Sequence, residues 1–390
     1  MKHRITAEAL TSCTGCSACA AACRAGALTM QLNAEGFYEP RLVPQKCLDC
    51  GTCLAVCPIG TSGGRERLAS YCGYHRDPGI LYQSTSGGAF RALADPILDA
   101  GGLVFGAVYT EDFRTVLIAD SDSTDIVQMQ KSKYIVSFPQ TSFPRIRQQL
   151  ENGRTVLFSG APCQTAGLLS YLGRAYPNLY TVDFICGGMP SLRFWQEHVT
   201  FLEQKYGAAL VGVDFRSKEK GWGKEYLALH FANGKKLLMR EYLDSYYHCF
   251  ANTRVSVRSV CLDCPYRTRH DADITVGDFW GYADAGVTDV RGGMSLVTVN
   301  SSQGQALISG MTAFGLRTTA PQDSDYAFRD TLSTEQERRQ RDAFFALAAQ
   351  IGFEHAAKRL CPATVRAHIA AYLKEKLFRF FHQSGHKSVK

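Results

Sequence analysis

Two runs of four cysteines constrain this chain more than any other feature: Cys13, Cys16, Cys19, Cys23 and Cys47, Cys50, Cys53, Cys57. Each run reads C-x2-C-x2-C-x3-C, and Pro58 follows the second. Three thiolates at successive x2 spacing can wrap one face of a 4Fe–4S cube, while the fourth cysteine reaches to the neighbouring cube. The spacing therefore groups Cys13, Cys16, Cys19 and Cys57 around one cluster, and Cys47, Cys50, Cys53 and Cys23 around the other. Structural zinc sites use paired C-x2-C knuckles instead. A disulfide framework would need an oxidising compartment. Arg24 stands where a proline often follows the first run, which alters a turn but removes no ligand.

The segment spanning residues 1–65 is expected to be a ferredoxin-like domain with two 4Fe–4S clusters. The whole chain, at 390 residues, has room for two or three domains. No apolar run is long enough to cross a membrane, and MKHRITAEALTSC offers no apolar signal core. These features predict a cytoplasmic protein, where thiols stay reduced. The net charge of +7 is modest, and no nucleic-acid-binding module accompanies it. The tail from Thr364 carries Arg366, Lys374, Lys376, Arg379, Lys387 and Lys390 against Glu375. Its mixture of bases and aromatics is compatible with peripheral contact with an anionic membrane or with a partner. The duller reading is a C-terminal helix packed on its own domain.

TSGGRERLASYCGYHRDPG reads as a connector, and from about residue 80 the pattern alternates between strand and helix. LVFGAVY, TVLFSG and LYTVDFICGG read as strands; SFPRIRQQLENG, with Ser142 as its cap, and PCQTAGLLSYLG read as helices. Pro96 is expected to kink or interrupt the helix after the Gly87–Gly88 turn. Asn233–Gly234 predicts a hairpin. The last sixty residues read as helical, with apolar positions Phe344, Leu347, Ile351, Ile369, Tyr372, Leu373 and Phe380. The fold class is α/β (α+β overall): a ferredoxin-like domain, then an α/β part with a parallel sheet, then a helical C-terminal tail.

Four further cysteines have a coherent placement. Cys163 follows one strand and opens a helix, and Cys186 ends the next strand. If these strands are parallel, both thiols lie at the carboxyl edge of one sheet, where open α/β sheets build their sites. A helix N-terminus also favours a thiolate at Cys163. Cys261 and Cys264 add a C-x2-C knuckle. Together they form a candidate four-thiolate site; spacing leaves 4Fe–4S, zinc and plain buried cysteines open. Cys72, Cys249 and Cys361 have no evident partner and read as structural.

TSGGAFRAL with GLVFGAVY, QKSKY, SGAPCQTAGL, DFICGGMPS, FRSKEKGW, CLDCPYR and ADITVGDFWG occur in this order. Across roughly residues 70–320 the chain resembles the coenzyme F420 hydrogenase/dehydrogenase beta-subunit family, with an N-terminal domain over 70–155, a C-terminal domain over 156–320, and a helical tail over 321–390. The resemblance implies an iron–sulfur flavoprotein oxidoreductase with a flavin, usually FAD, near a third 4Fe–4S cluster held by Cys163, Cys186, Cys261 and Cys264. Many bacterial members have Cys-His-Gly at the strand end, whereas this chain has Cys186-Gly187-Gly188. For the flavin, the backbone of Ser86, Gly87 and Gly88 could cradle a pyrophosphate. Lys131 and Lys133 could neutralise it, Tyr134 could stack on a ring, and Gln164 and Asp278 belong to the cofactor side. Their alternatives are an ordinary helix-entry turn, a solvated face and a strand-to-turn residue. No G-x-G-x-x-G follows a strand, so a Rossmann dinucleotide site is not supported. Arg216, Lys218 and Trp222 lie in a loop that could contact substrate. No general acid stands out.

The resemblance implies electron transfer between a ferredoxin-like external carrier and a flavin that reduces or oxidises a small organic substrate or a deazaflavin. Family association also points to polysaccharide biosynthesis. The alternatives are an electron-relay subunit whose redox partner carries the substrate site, and an interaction protein with structural clusters. A homo-oligomer is compatible with either.

Overall fold

The computed structural model describes residues 5, 10–60, 63–139, 141–224, 226–282, 290, 292–319, 334–366 and 369. The N-terminal part contains helices α1 (Ala18–Ala21) and α2 (Thr52–Ala55) and an antiparallel pair of strands, β1 (Leu28–Leu32) and β2 (Tyr38–Leu42). The two cysteine loops repeat the same backbone. Gly15 and Ser17 in the first, and Asp49 and Gly51 in the second, are left-handed, with φ of 75°, 71°, 49° and 76°. That conformation turns backbone N–H groups inward: Gly15 donates to Cys13 Sγ and Asp49 to Cys47 Sγ, both at 3.4 Å.

The larger part is built on one sheet, nine strands wide among the described residues. Its strands are β3 (Ala69–Gly73), β4 (Leu103–Tyr109), β5 (Val116–Ser121), β6 (Ser137–Phe138), β7 (Val156–Ser159), β8 (Leu179–Phe184), β12 (Ile274–Asp278), β13 (Ser295–Val299) and β14 (Arg317–Thr318). They lie in the order β14-β3-β13-β12-β8-β7-β4-β5-β6. The centre, β12-β8-β7-β4, is parallel, as the strand–helix alternation predicts. β3 lies within the expected connector, and its ladder to β13 makes that segment part of the sheet. The expected division at 155/156 is not a division of the sheet either, because β4 pairs directly with β7. A second, three-stranded sheet, β9 (Leu210–Ser217), β10 (Tyr226–Phe231) and β11 (Lys236–Arg240), includes the hairpin at Gly234.

The helices are α3 (Pro78–Tyr82), α4 (Ala89–Asp99), α5 (Ser142–Glu151), α6 (Pro162–Leu172), α7 (Leu192–Tyr206), α8 (Ser245–Tyr247), α9 (Ser302–Ser309), α10 (Thr334–Ile351) and α11 (Phe353–Leu360). Pro96 stays inside α4 without ending it. Ser142 lies in the first turn of α5 rather than capping it, its hydroxyl donating to Ile118 O at 2.8 Å. In α10, Phe344 is fully buried but Ile351 is exposed, contrary to its expected core position. Tyr372, Leu373 and Phe380, with the basic tail from Lys374 onward, lie outside the described residues.

The ferredoxin-like part is seated against the larger part. Its β1–β2 turn enters a recess where Ser191 Oγ donates to Glu35 O at 2.6 Å and Leu192 N to Gly36 O at 3.0 Å. Gly36 is left-handed, and a Cβ there would sit 2.6 Å from Ser191 Oγ, so the close approach needs glycine. Phe37 is buried beneath, between the guanidiniums of Arg258 and Arg341 and the ring of Phe345 at 5.7 Å.

Candidate redox site

The cysteines fall into three groups of increasing burial. The outermost is the loop of the second run, where Cys50 is exposed and Cys47, Cys53 and Cys23 are half-buried. Next come Cys13, Cys16, Cys19 and Cys57. Burial pushes the Cys16 thiol up to about 12, with the negative charges of Cys13 and Cys57 adding to the rise. Burial raises Cys19 also, and Cys16, Cys13 and Cys57 add to it. These four thus share one neighbourhood, although Cys57 follows the second run.

The innermost group is built by the sheet. α6 begins with Pro162, which places Cys163 in its first turn, and Cys186 lies just past the end of β8. Because β7 and β8 are parallel, both thiols stand at the carboxyl edge, as the strand–helix–strand argument anticipates. Cys261 lies in the turn Ser259–Asp263, with Cys264 just after it. This turn is tied to the Cys186 loop by a bridge between Pro190 and Val257 and by Arg258 N donating to Met189 O at 2.9 Å. Gly188 allows that approach: a Cβ on it would stand 3.3 Å from Cys261 Cβ. Gly188 N donates to Cys186 Sγ and Met189 N to Cys261 Sγ, both at 3.4 Å. All four cysteines line one small cleft with Thr14, Arg254, Tyr266 and Arg267. Burial raises every one of these thiols, Cys186 to about 12 and Cys264 to about 11.

The four thiols fit a thiolate-bound cluster. As free thiols they would hold their protons; a metal centre would displace them and supply the compensating charge. Among the described residues, no three His, Cys, Asp or Glu side chains close to the spacing of one shared ion. A cubane interposes its own iron and sulfide, so its ligands ring a space rather than a point. The inner and middle groups are adjacent: Cys16 touches the charge environment of Cys163, and a Cβ on Gly167 of α6 would sit 2.9 Å from Cys16 Sγ.

On the other side of the Cys186 loop lies a cavity of about 280 Å³. Ser86, Gly88, Lys131, Lys133, Tyr134 and Asp278 all line it. Cys186, Gly187, Gly188 and Met189 line both this cavity and the four-cysteine cleft, forming the wall between them. The polar groups differ in availability. Lys131 is paired with Asp214 at 2.5 Å. Lys133 pairs with no carboxylate among the described residues; its Nζ donates to Gln130 O at 2.8 Å and lies 5.5 Å from the Tyr109 ring. Burial, then Lys131, pulls Lys133 down to about 7. A half-buried cation with no acid partner among the described residues suits an anionic ligand group, and the apolar walls suit an apolar ring.

Several expected roles change. The Gly87 N–H is taken by Ser295 Oγ at 2.8 Å, so it is not free for a pyrophosphate; its lack of a side chain lets it pack against Gly73 and Ser295. Gln164 does not line the cavity: its Oε1 accepts from Ala161 N at 3.1 Å, capping α6, and its Nε2 donates to Ser137 O at 3.0 Å. Tyr134 packs among Phe215, Tyr247 and Phe250, with its hydroxyl accepting from Arg216 at 3.1 Å. Arg216 also binds Asp278 at 3.1 Å, so it braces the cavity instead of standing in an open loop. Lys218 Nζ is saturated by the carbonyls of Leu81, Ser86 and Gly292, each at 2.6 Å, which fixes the Ser86 turn. Trp222 stacks on Trp280 at 4.7 Å. Cys249 and Cys361 do have a partner, since their thiols hydrogen-bond to each other. Cys72 is buried in the sheet. Sequence reasoning missed Phe184, an aromatic ring half-exposed in the cavity just before Cys186; its signal was an apolar residue at the carboxyl end of a central strand.

No helix among the described residues is long and apolar enough to cross a membrane. Residues 153–325 match the family model for the C-terminal region of the beta chain of coenzyme F420 hydrogenase/dehydrogenase, and residues 12–61 match a 4Fe-4S dicluster domain. No curated protein matches significantly. Thirteen solved chains do. One belongs to the F420-reducing [NiFe] hydrogenase complex from Methanosarcina barkeri, at 16% identity and a TM-score of 0.45, covering 72% of this chain and 91% of that chain.

Proposed function

We propose that this chain is an iron–sulfur flavoprotein oxidoreductase of the coenzyme F420 hydrogenase/dehydrogenase beta-subunit type, a reading supported by the match of residues 153–325 to that family's C-terminal region and of residues 12–61 to a 4Fe-4S dicluster domain. The reading places two 4Fe–4S clusters on the eight N-terminal cysteines, a third on Cys163, Cys186, Cys261 and Cys264, and a flavin, FAD or FMN, in the adjoining cavity. When bound, the clusters supply one-electron transfer and the flavin supplies the exchange between one-electron and two-electron chemistry. One observation carries it: the segment Cys186–Met189 is the common wall of the cleft and the cavity.

The chain's residues have separable tasks in this reading. The Cys186 loop, held by Arg254 Nη1 donating to Gly187 O at 2.6 Å, fixes the wall. Lys133 offers a proton-bearing amine to an anionic group, while Lys131 is already neutralised by Asp214. Arg216 orients the Tyr134 hydroxyl and the Asp278 carboxylate toward the cavity. Phe184 offers an aromatic face to the ring side. The substrate is a small organic molecule or a deazaflavin; fifteen cysteines without a disulfide suit a reducing cytoplasm.

The second reading is an electron relay to a redox partner that carries the substrate site. The engagement of Gly87, Lys131 and Tyr134 within the protein favours it, because fewer groups are left for a ligand. Anaerobic purification with iron, sulfide and flavin quantified per chain separates the two. About twelve irons and one flavin support the first reading. About twelve irons with no flavin, even after reconstitution with FAD and FMN, support the relay. About eight irons remove the inner cluster.

A further inference from the structure

The ferredoxin-like part presents its two halves differently. The Cys13–Cys19 loop and the β1–β2 turn face inward: Cys16 lies against Gly167, and Arg258 bonds the carbonyls of Cys13 and Tyr38. The second cysteine loop faces out. Val43, Lys46, Leu48, Asp49, Cys50 and Leu54 are all exposed. Leu48 is 74% exposed, and Val43 and Leu54 of the same segment are exposed with it, so the apolar surface here is more than one scattered residue.

Charge around this tip is one-sided. Arg24 and Lys46 are exposed, and no ion pair among the described residues engages them. Arg24 lies within electrostatic reach of Cys50. Asp49 is the acid at the tip. A small apolar centre, an exposed cluster ligand and a rim of unpaired cations together specify a partner. It needs an apolar contact over its own redox centre, an acidic rim, and no deep groove. Transient electron-transfer interfaces are small, and their charges set the encounter rate.

We propose that the face formed by Leu48, Cys50 and Leu54, rimmed by Arg24 and Lys46, is the docking surface for a small acidic electron-carrier protein. The inference rests on the electron-transfer reading above. One electron passes between the carrier and the outer 4Fe–4S site; the carrier changes by one electron, the chain by the opposite one, and no bond or proton moves.

The test uses the anaerobically purified full chain and an acidic two-cluster ferredoxin as the probe, with affinity measured by calorimetry in low and high salt. Arg24→Glu with Lys46→Glu is expected to weaken Kd more than about tenfold at roughly 20 mM salt and less than about twofold at roughly 500 mM, because screening removes the contribution of the rim. Leu48→Ala is expected to weaken it at both. Lys235→Glu, on the remote β10–β11 hairpin, is expected to change nothing. Iron content and visible spectrum report folding of each variant. Equal weakening by Lys235→Glu, unchanged affinity in the double variant, or no binding by the parent chain each overturns the proposal. Reduction by methyl viologen keeps the two readings apart. If the viologen reduces the clusters while the carrier does not bind, only the docking surface fails. If it does not reduce them, the electron-transfer reading fails as well.

Discussion

At the residue scale, the proposed inner cluster would depend on thiols that a metal must deprotonate. Cys261→Ser replaces a buried thiol by a weaker ligand and leaves the two outer groups untouched. It is expected to lower the iron content by about four per chain while the remaining clusters keep their spectrum; loss of all iron would show instead that the sites fold as one. Lys133 carries a second expectation. Its amine, held down to about 7 by burial and by Lys131, is charged below that pH and neutral above it. An anionic cofactor would bind the charged form, so on the flavin reading its affinity is expected to fall as pH rises through 7, by up to about tenfold per pH unit. Flavin-fluorescence titrations between about pH 6 and 8.5 would show this slope in the parent chain and a flat, weaker profile in Lys133→Met. Lys131→Met removes the neighbouring charge that helps hold Lys133 down, so the same fall is expected there at higher pH.

At the element scale, α11 is clamped by a buried charge cluster. His198 of α7 bonds Asp244 at 2.9 Å and also Glu354 of α11, and Ser245 Oγ donates to Glu354 Oε2 at 3.0 Å. Burial opposes the imidazolium, but Asp244 and Glu354 outweigh it and hold His198 up at about 10. A raised value stabilises the fold fully below about 6.5, and the contribution is lost as pH rises through 10. Thermal melts between about pH 6.5 and 10.5 are expected to show a falling midpoint, with a shallower fall in Glu354→Gln. A pH-independent midpoint would place the proton elsewhere. None of this clamp is legible in the sequence, because His198, Asp244 and Glu354 are brought together only by tertiary packing. The strands were legible where apolar runs stand between turn residues, as at LVFGAVY, and so was the parallel pairing that brings Cys163 and Cys186 to one edge. β3 was not, since glycines and arginines precede it and its support comes from β13, more than two hundred residues later. Gln164 and Gly87 were misread for a related reason. A motif fixes residue type and spacing, whereas availability depends on what the fold sets beside each group, here Ala161 and Ser295.

At the scale of the whole molecule, the order of the three cysteine groups requires that the ferredoxin-like part sit in one fixed orientation. Phe37, which is 2% exposed, is the largest fully buried side chain that the ferredoxin-like part contributes to the seam with the larger part. Arg341 of α10 closes it from the far end of the chain, bonding Glu35 and donating through Nε to Val257 O at 2.7 Å. The first and last described segments are thus joined to the turn that precedes Cys261. Phe37→Ala removes a ring worth about 3–5 kcal/mol in a packed core, with the cavity it leaves included. The parent chain is expected to unfold with cluster bleaching and loss of helical circular dichroism in one coincident transition. In Phe37→Ala the bleaching of the two outer clusters is expected to come first, at lower denaturant, as the ferredoxin-like part loses its seat while the nine-stranded sheet persists. Coincident transitions in the variant, shifted together, would mean that the Arg258 bonds to Cys13 and Tyr38 suffice to hold the seam, and Arg258→Ala would then be the change that separates the two.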